Sequence, residues 1–380
     1  MTAARRGERY AAPMPEQSGL PVPPRASFEP TLPADPNLVN LHDYERVAAE
    51  RLAPGPLAYF TGGAGDEVTL RDNRAAFARQ AIMPRVMRDV STIDPSLELF
   101  GRRWPSPIWI APTALQRMAH PDGELATARA AAARGVTMAV STSASTDLAE
   151  IAAVGGPRWF QVYLLADPGA RRALVERAVA NDYEALMLTV DLARIGRRER
   201  DLRVGFRIPE GVDIPNVALA AGVSPAEVAS VAFTDRLTWT DLEWLAGFGL
   251  PVIVKGILHP DDARLAVEHG AAGIGVSNHG GRQLDAAIAS LDALPGVVEA
   301  VEGRVPILLD GGVRRGTDIL MSLAMGATAV GIGRPIIWGL GVGGETGVGN
   351  VLDLLTRELE NAMALAGAAS VADLTPDLLA

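Results

Sequence analysis

Residues 251–285 read PVIVKGILHPDDARLAVEHGAAGIGVSNHGGRQLD: two short apolar runs, Pro251–Gly256 and Gly273–His279, with an amphipathic segment, Asp261–His269, between them. Short Val/Ile-rich runs suit buried strands, and the segment between has the length and polarity of a helix. A strand, a helix and a second strand in this order form a unit whose strands lie parallel. The same alternation occupies most of the chain. Further strands are expected at Ile108–Ala114, Val136–Thr142, Arg158–Leu164, Ala185–Asp191, Val305–Gly311 and Ala329–Arg334. Each is followed by a helical pattern, such as Gly123–Arg134, Pro168–Asn181 and Thr317–Met325. Eight strands with eight helices point to an α/β (β/α)8 TIM barrel, with a doubly wound open sheet as the alternative. The alternation breaks once, at Leu192–Trp239 after the fourth strand, and loops of that length in compact barrels are usually functional, for example as lids.

The N-terminal part differs. Residues 1–37 carry eight prolines and little periodicity, which predicts a disordered or surface-hugging arm before a barrel domain over residues 38–380. Asn40–Ala53 reads as a helix with Leu41, Tyr44, Val47 and Ala48 on one face. Pro54-Gly55-Pro56 ends it before a short segment containing Tyr59 and Phe60.

Composition excludes several kinds of function. With 380 residues, 48% of them hydrophobic, the chain can bury a large core. Its net charge is −10, and no basic stretch is interleaved with aromatics, so nucleic acid is not an expected partner. There is no cysteine, which removes disulfides, thiolate metal sites and cysteine nucleophiles together. No apolar run reaches the roughly 18–20 residues needed to span a bilayer, and Arg5, Arg6 and Arg9 precede no apolar leader core. A cytoplasmic protein without a membrane partner is the expectation.

The polar residues collect at the expected C-terminal strand ends, where barrels build their active sites: Thr113, Ser141, Gln161, Tyr163, Thr189, Asp191, Lys255, Ser277, His279, Asp310 and Arg334. In Ser277–Asp285 a titratable base, His279, lies three residues before a permanent cation, Arg282. That pair suits a small anionic substrate which must lose a proton, because Arg grips a carboxylate in a fork and His accepts a proton near neutral pH. Of 35 basic residues only Lys255 is lysine. Its place at the end of an apolar strand suggests a role that needs a compact ammonium, such as facing the electron-rich edge of a reduced flavin. Asp191 is the best-placed partner to fix the tautomer of His279. Asp310–Gly316 and Gly331–Pro335 are glycine–arginine loops after strands seven and eight, where barrels commonly hold phosphate, on either a substrate or a cofactor. No dinucleotide fingerprint is present.

With these residues in view, the chain resembles the FMN-dependent (S)-2-hydroxy-acid oxidase and dehydrogenase family, which includes glycolate oxidase, lactate oxidase, flavocytochrome b2 and mandelate dehydrogenase. The resemblance covers about Leu41 to Leu374. It rests on Ile110–Ala114, Phe160–Tyr163, Leu188–Asp191, Gly196–Glu199, Val254–Gly256, the His279 block and both glycine–arginine loops. It implies His279 as the active-site base with Asp191 as its partner. Arg282 and Arg198 would clamp the substrate carboxylate, helped by the hydroxyls of Tyr59 and Tyr163. Lys255 would face the flavin N1–O2 edge. Ala111, Pro112, Thr113, Ser141, Gln161, Thr189 and Ser277 would surround the isoalloxazine or ribityl chain. Asp310, Gly312, Arg314, Gly333 and Arg334 would hold ribityl and phosphate. Electrons would pass to FMN and the product would be a 2-oxo acid. The resemblance leaves open whether the α-hydrogen leaves as a proton or a hydride.

One position departs from the plant glycolate oxidases. Where they carry Trp facing the substrate side chain, this chain has Ser143, so a substrate larger than glycolate is expected, lactate- or mandelate-sized. The residues before the first barrel strand leave no room for a fused haem domain, and Pro209–Arg236 is no apolar anchor. Both favour O2 over another acceptor. The resemblance also implies a homo-oligomer, a tetramer or octamer. Among competing classes, a flavin-dependent barrel isomerase would not need the His279–Arg282 pair, an inosinate-dehydrogenase-like barrel would need a cysteine, and a non-catalytic flavoprotein would be expected to have lost His279, Asp191 or an arginine.

Overall fold

Barrel strands that alternate apolar residues below with polar residues above organise the molecule, a computed structural model that describes residues 37–380. The expected proline-rich arm, 1–37, lies outside the described residues but for its last position. The strands are β1 (Leu97–Leu99) and β2 (Arg102–Trp104), followed by β3 (Ile108–Ile110), β4 (Thr137–Ser141), β5 (Arg158–Val162), β6 (Leu186–Thr189), β7 (Val252–Ile257), β8 (Gly273–Val276), β9 (Ile307–Asp310) and β10 (Ala329–Ile332). β3 to β10 close a parallel barrel in sequential order, β10 pairing with β3. The (β/α)8 barrel expected from the sequence is therefore present, and the open-sheet alternative is excluded.

Most expected strands end a little earlier than their apolar runs. Ile108–Ala114 narrows to Ile108–Ile110, and Gly273–His279 to Gly273–Val276. The remaining residues form the loops that build the site. Side chains two apart on a strand face the same side. Ala139, Trp159, Met187, Ile253 and Leu308 join one buried apolar cluster. Two residues further along the same strands stand Ser141, Gln161, Thr189, Lys255 and Asp310. One face of each strand thus supplies core below and chemistry above.

The hairpin β1–β2 is absent from the sequence-based expectation. It pairs antiparallel, Leu97 opposite Trp104, and puts Leu99 and Trp104 into the same apolar cluster. Trp104 and Trp109 lie 5.4 and 5.9 Å from the Trp159 ring, so the hairpin closes the N-terminal mouth of the barrel. The expected N-terminal helix spans Leu41–Arg51, capped by Asn40, whose side chain accepts from His42 and Asp43 backbone N–H groups. A second helix, Pro54–Thr61, starts on proline at its first position and carries Tyr59. The long break after β6 holds two short helices, Glu199–Arg203 and Pro215–Ala221, and a 3-10 turn, Pro225–Ser230. Among the described residues no helix is long and apolar enough to cross a membrane.

Candidate active site

A left-handed turn after β8 carries the base. His279 has φ +59°, followed by Gly280 at +64° and Gly281 at +73°. A non-glycine residue in this region costs energy that the surroundings must supply, and such residues gather at functional sites. Asn278 supplies part of it. It exchanges two 2.8 Å amide hydrogen bonds with Asn73 on the helix Val68–Ala78 and accepts from Gly281 N–H.

The turn points the imidazole of His279 between two partners. Nδ1 lies 2.8 Å from Asp191 Oδ1, and Nε2 lies 3.3 Å from the Tyr163 hydroxyl. Burial is the largest influence on His279 and holds its pKa below the ordinary value; Lys255 and Arg282 push the same way, against the pull of Asp191. Burial alone would raise the Asp191 carboxyl, but the charge and hydrogen bond of His279 and the charge of Lys255 leave it lowered. Burial, then the charge of Asp191, push the Tyr163 hydroxyl far up, so it stays protonated. The consistent assignment is a neutral imidazole that donates from Nδ1 to an anionic Asp191 and offers its Nε2 lone pair to the pocket.

Asp191 can approach because of β7. The ladder between β7 and β8 shifts register between Lys255 and Ile257. At the intervening Gly256, φ is +109° and an added Cβ would lie 2.8 Å from Asp191 Cβ and Cγ. Only glycine tolerates both the dihedral and the approach.

The cations form two groups. Lys255, 5% exposed, donates to Ser277 Oγ at 2.8 Å, and Ser277 Oγ donates to Asp310 Oδ1 at 2.7 Å. Lys255 Nζ also lies 3.4 Å from Asp310 Oδ2. Arg282, Arg198 and Arg334 contact the helix Pro54–Thr61. Arg282 donates to the carbonyls of Tyr59 and Gly62 at 2.6 and 2.9 Å, and its guanidinium lies 5.0 Å from the centre of the Tyr59 ring. Arg198 lies 5.9 Å from the same ring, and Phe206 stacks on that ring at 5.0 Å. Arg334 donates to the carbonyls of Phe60, Gly62 and Gly280. Arg314 lies 4.5 Å over Trp338. Burial, then the charge of Arg198, lowers Arg282 to about 10, and burial lowers Arg314 to about 10 as well. Burial, with the charges of Arg282 and Arg314, takes Arg334 well below the ordinary value.

One pocket is lined by Tyr59, Ala111, Pro112, Thr113, Ser141, Ser143, Tyr163, Thr189, Arg198, Lys255, His279, Arg282, Asp310, Gly312, Arg314, Gly333 and Arg334. Three expected residues adjoin its lining. Asp191 backs His279, Ser277 backs Lys255, and Gln161, 1% exposed, accepts from Ser141 Oγ and Thr142 N–H.

Other residues went unforeseen. Phe233 packs edge-on against Tyr163 at 5.4 Å, and with Leu192, Ile195, Phe206, Ile208 and Ile214 it makes the outer pocket apolar. These residues come from the long loop, which has no periodicity to read. Glu124, fully buried, accepts four hydrogen bonds: from Gln116 N, Ser145 N, Ser145 Oγ and Thr146 Oγ1. It holds together the loops after β3 and β4, which carry Thr113 and Ser143.

The donor set fits FMN. Arg314 and Arg334 bury positive charge in the pocket lining, where a phosphate would compensate it. Gln161 Nε2 and Thr189 Oγ1 are buried without a protein partner near the strand ends, as suits groups that meet the polar edge of a flavin.

A closed parallel barrel with a buried lysine, an Asp-backed histidine and a cluster of buried arginines at its C-terminal face defines a flavin-dependent oxidoreductase. Comparison with known proteins agrees: the model of the FMN-dependent dehydrogenase family matches residues 48–380. The L-lactate oxidase of Nostoc sp. (strain PCC 7120) is 49% identical over 90% of this chain and 98% of its own. Glycolate oxidase 1 of Oryza sativa subsp. indica is 45% identical over 89% of this chain and 94% of its own. A mandelate oxidase crystallised with (S)-4-hydroxymandelic acid superposes with a TM-score of 0.85 at 43% identity, over 90% of this chain and 98% of that one. The chain belongs to the FMN-dependent dehydrogenase family, and its cofactor is FMN.

Proposed function

We propose that the protein oxidises an (S)-2-hydroxy acid of lactate or mandelate size to the 2-oxo acid, with O2 as the final acceptor and hydrogen peroxide as the second product. The observation that carries this reading is the line Asp191–His279–Tyr163, with Nδ1–Oδ1 at 2.8 Å, beside Arg198 and Arg282 in one pocket. Bound FMN supplies a two-electron acceptor. Arg282 and Arg198 hold the substrate carboxylate, and Tyr59, flanked by both guanidiniums, joins them. His279 Nε2 takes a proton from the substrate, and Asp191 stabilises the imidazolium that results. The Tyr163 hydroxyl, kept protonated, offers a hydrogen bond to the substrate oxygen. Lys255 would face the flavin edge where negative charge gathers on reduction. Ala111, Pro112, Thr113, Ser141, Gln161, Thr189 and Ser277 would surround the ring and ribityl chain, while Asp310, Gly312, Arg314, Gly333 and Arg334 would hold ribityl and phosphate.

The small Ser143 and the apolar outer wall support a side chain larger than that of glycolate. The same proposal takes residues 38–380 as the catalytic domain after an arm over 1–37. It also takes the enzyme as a cytoplasmic homo-oligomer, for which the almost fully exposed Val86 and Met87 offer apolar contact area. Light scattering on the purified protein tests the last point. The activity is tested by oxygen uptake and peroxide release with glycolate, (S)-lactate and (S)-mandelate. The expected result is a higher kcat/KM for lactate or mandelate, with one peroxide per oxygen consumed. A preference for glycolate over both, or turnover without peroxide, contradicts the reading.

A further inference from the structure

Gln283, 9% exposed, uses the whole hydrogen-bonding capacity of its side-chain amide on one segment, the loop after β6. Its Nε2 donates to the carbonyl oxygens of Asp191 at 2.9 Å and Arg194 at 3.0 Å. Its Oε1 accepts from Gly196 N–H at 3.3 Å and from Arg198 Nη2 at 3.4 Å. Two carbonyls can only accept and two N–H groups can only donate, so the amide has a single workable orientation. The segment lies close against Gln283 because residue 196 lacks a side chain. A Cβ there would fall 2.4 Å from Arg282 O and 2.7 Å from Gln283 Cα.

We infer that Gln283 is a positioning residue that sets Arg198 and Asp191 in register with His279 and Arg282. Arg282 is its chain neighbour, so one amide ties the loop bearing one arginine and the carboxylate to the loop bearing the other arginine and the base. The inference rests on the proposed reading in which Arg198 and Arg282 hold a carboxylate. Glutamine is required rather than glutamate, because a carboxylate would face two carbonyl oxygens and lose both donors.

The test uses the FMN-loaded full-length protein and oxalate, a carboxylate with no oxidisable C–H bond, with binding followed by flavin absorbance. Gln283→Leu should weaken oxalate binding about tenfold and leave the FMN dissociation constant unchanged. Combined with Arg198→Met, it should add nothing further, because its effect on oxalate binding passes through Arg198. Gln283→Glu carries the same test if the leucine variant does not fold, and it should weaken oxalate similarly. Oxalate affinity unchanged in both Gln283 variants, or additive losses in the double variant, would overturn the inference while leaving the proposed function standing. If Arg198→Met itself leaves oxalate affinity unchanged, the carboxylate reading falls and this inference with it.

Discussion

His279 is held in a left-handed turn, with Asp191 on one ring nitrogen and Tyr163 near the other, and burial keeps it neutral around pH 7. His279→Ala should bind FMN normally and lose about 10²–10⁴ in the rate of flavin reduction by substrate; stopped-flow absorbance measures it, and an unchanged rate would remove His279 from the chemistry. A base whose pKa lies below the ordinary 6.5 must be deprotonated to act, so the reduction rate should rise with pH through a limb below that value. Asp191 raises this pKa, so Asp191→Asn should move the limb to lower pH while slowing reduction, because the tautomer is no longer fixed. A limb that stays in place in the variant would detach Asp191 from the histidine. The convergence of His279, Arg282 and Lys255 was legible in the sequence because a histidine, a cation three residues after it and the single lysine fall at or just after strand ends. Gln283 and Glu124 were not, since an amide or carboxylate on a loop gives no sign of the distant backbone it will hold.

The register shift in β7 shows how an element serves the site. Gly256 at φ +109° lets Asp191 lie against the strand. Gly256→Ala should cost about 1–3 kcal/mol of stability and push Asp191 away, so its reduction rate should fall toward that of Asp191→Asn; wild-type kinetics in a folded variant would contradict this. The barrel strands were legible because they are short, mainly apolar runs buried on both faces, but such runs do not mark where pairing stops. Their C-terminal residues turn into loops because they must aim side chains into the pocket. The hairpin β1–β2 escaped notice because its strands, LEL and RRW, are too short to display alternation. The apolar wall from the long loop depends on packing Phe206 on Tyr59 and Phe233 on Tyr163, contacts across large sequence separations.

Taken together, the molecule is a barrel whose lower half is an apolar core and whose upper half collects buried charge. Burying Arg314 and Arg334 close together costs stability that an anion recovers. Removing FMN should therefore lower Tm, and adding it back at about 100 times its Kd should restore about 2.7 kcal/mol; a Tm indifferent to FMN would contradict the assignment of these arginines to its phosphate. The central claim, that the site oxidises a 2-hydroxy acid through flavin and passes the electrons to oxygen, is tested most directly by anaerobic mixing. The FMN-loaded protein is mixed with (S)-lactate or (S)-mandelate, the flavin absorbance is followed, and air is then admitted. The account predicts rapid bleaching by at least one of the two acids and rapid recovery in air with release of peroxide; no bleaching by either acid would contradict it.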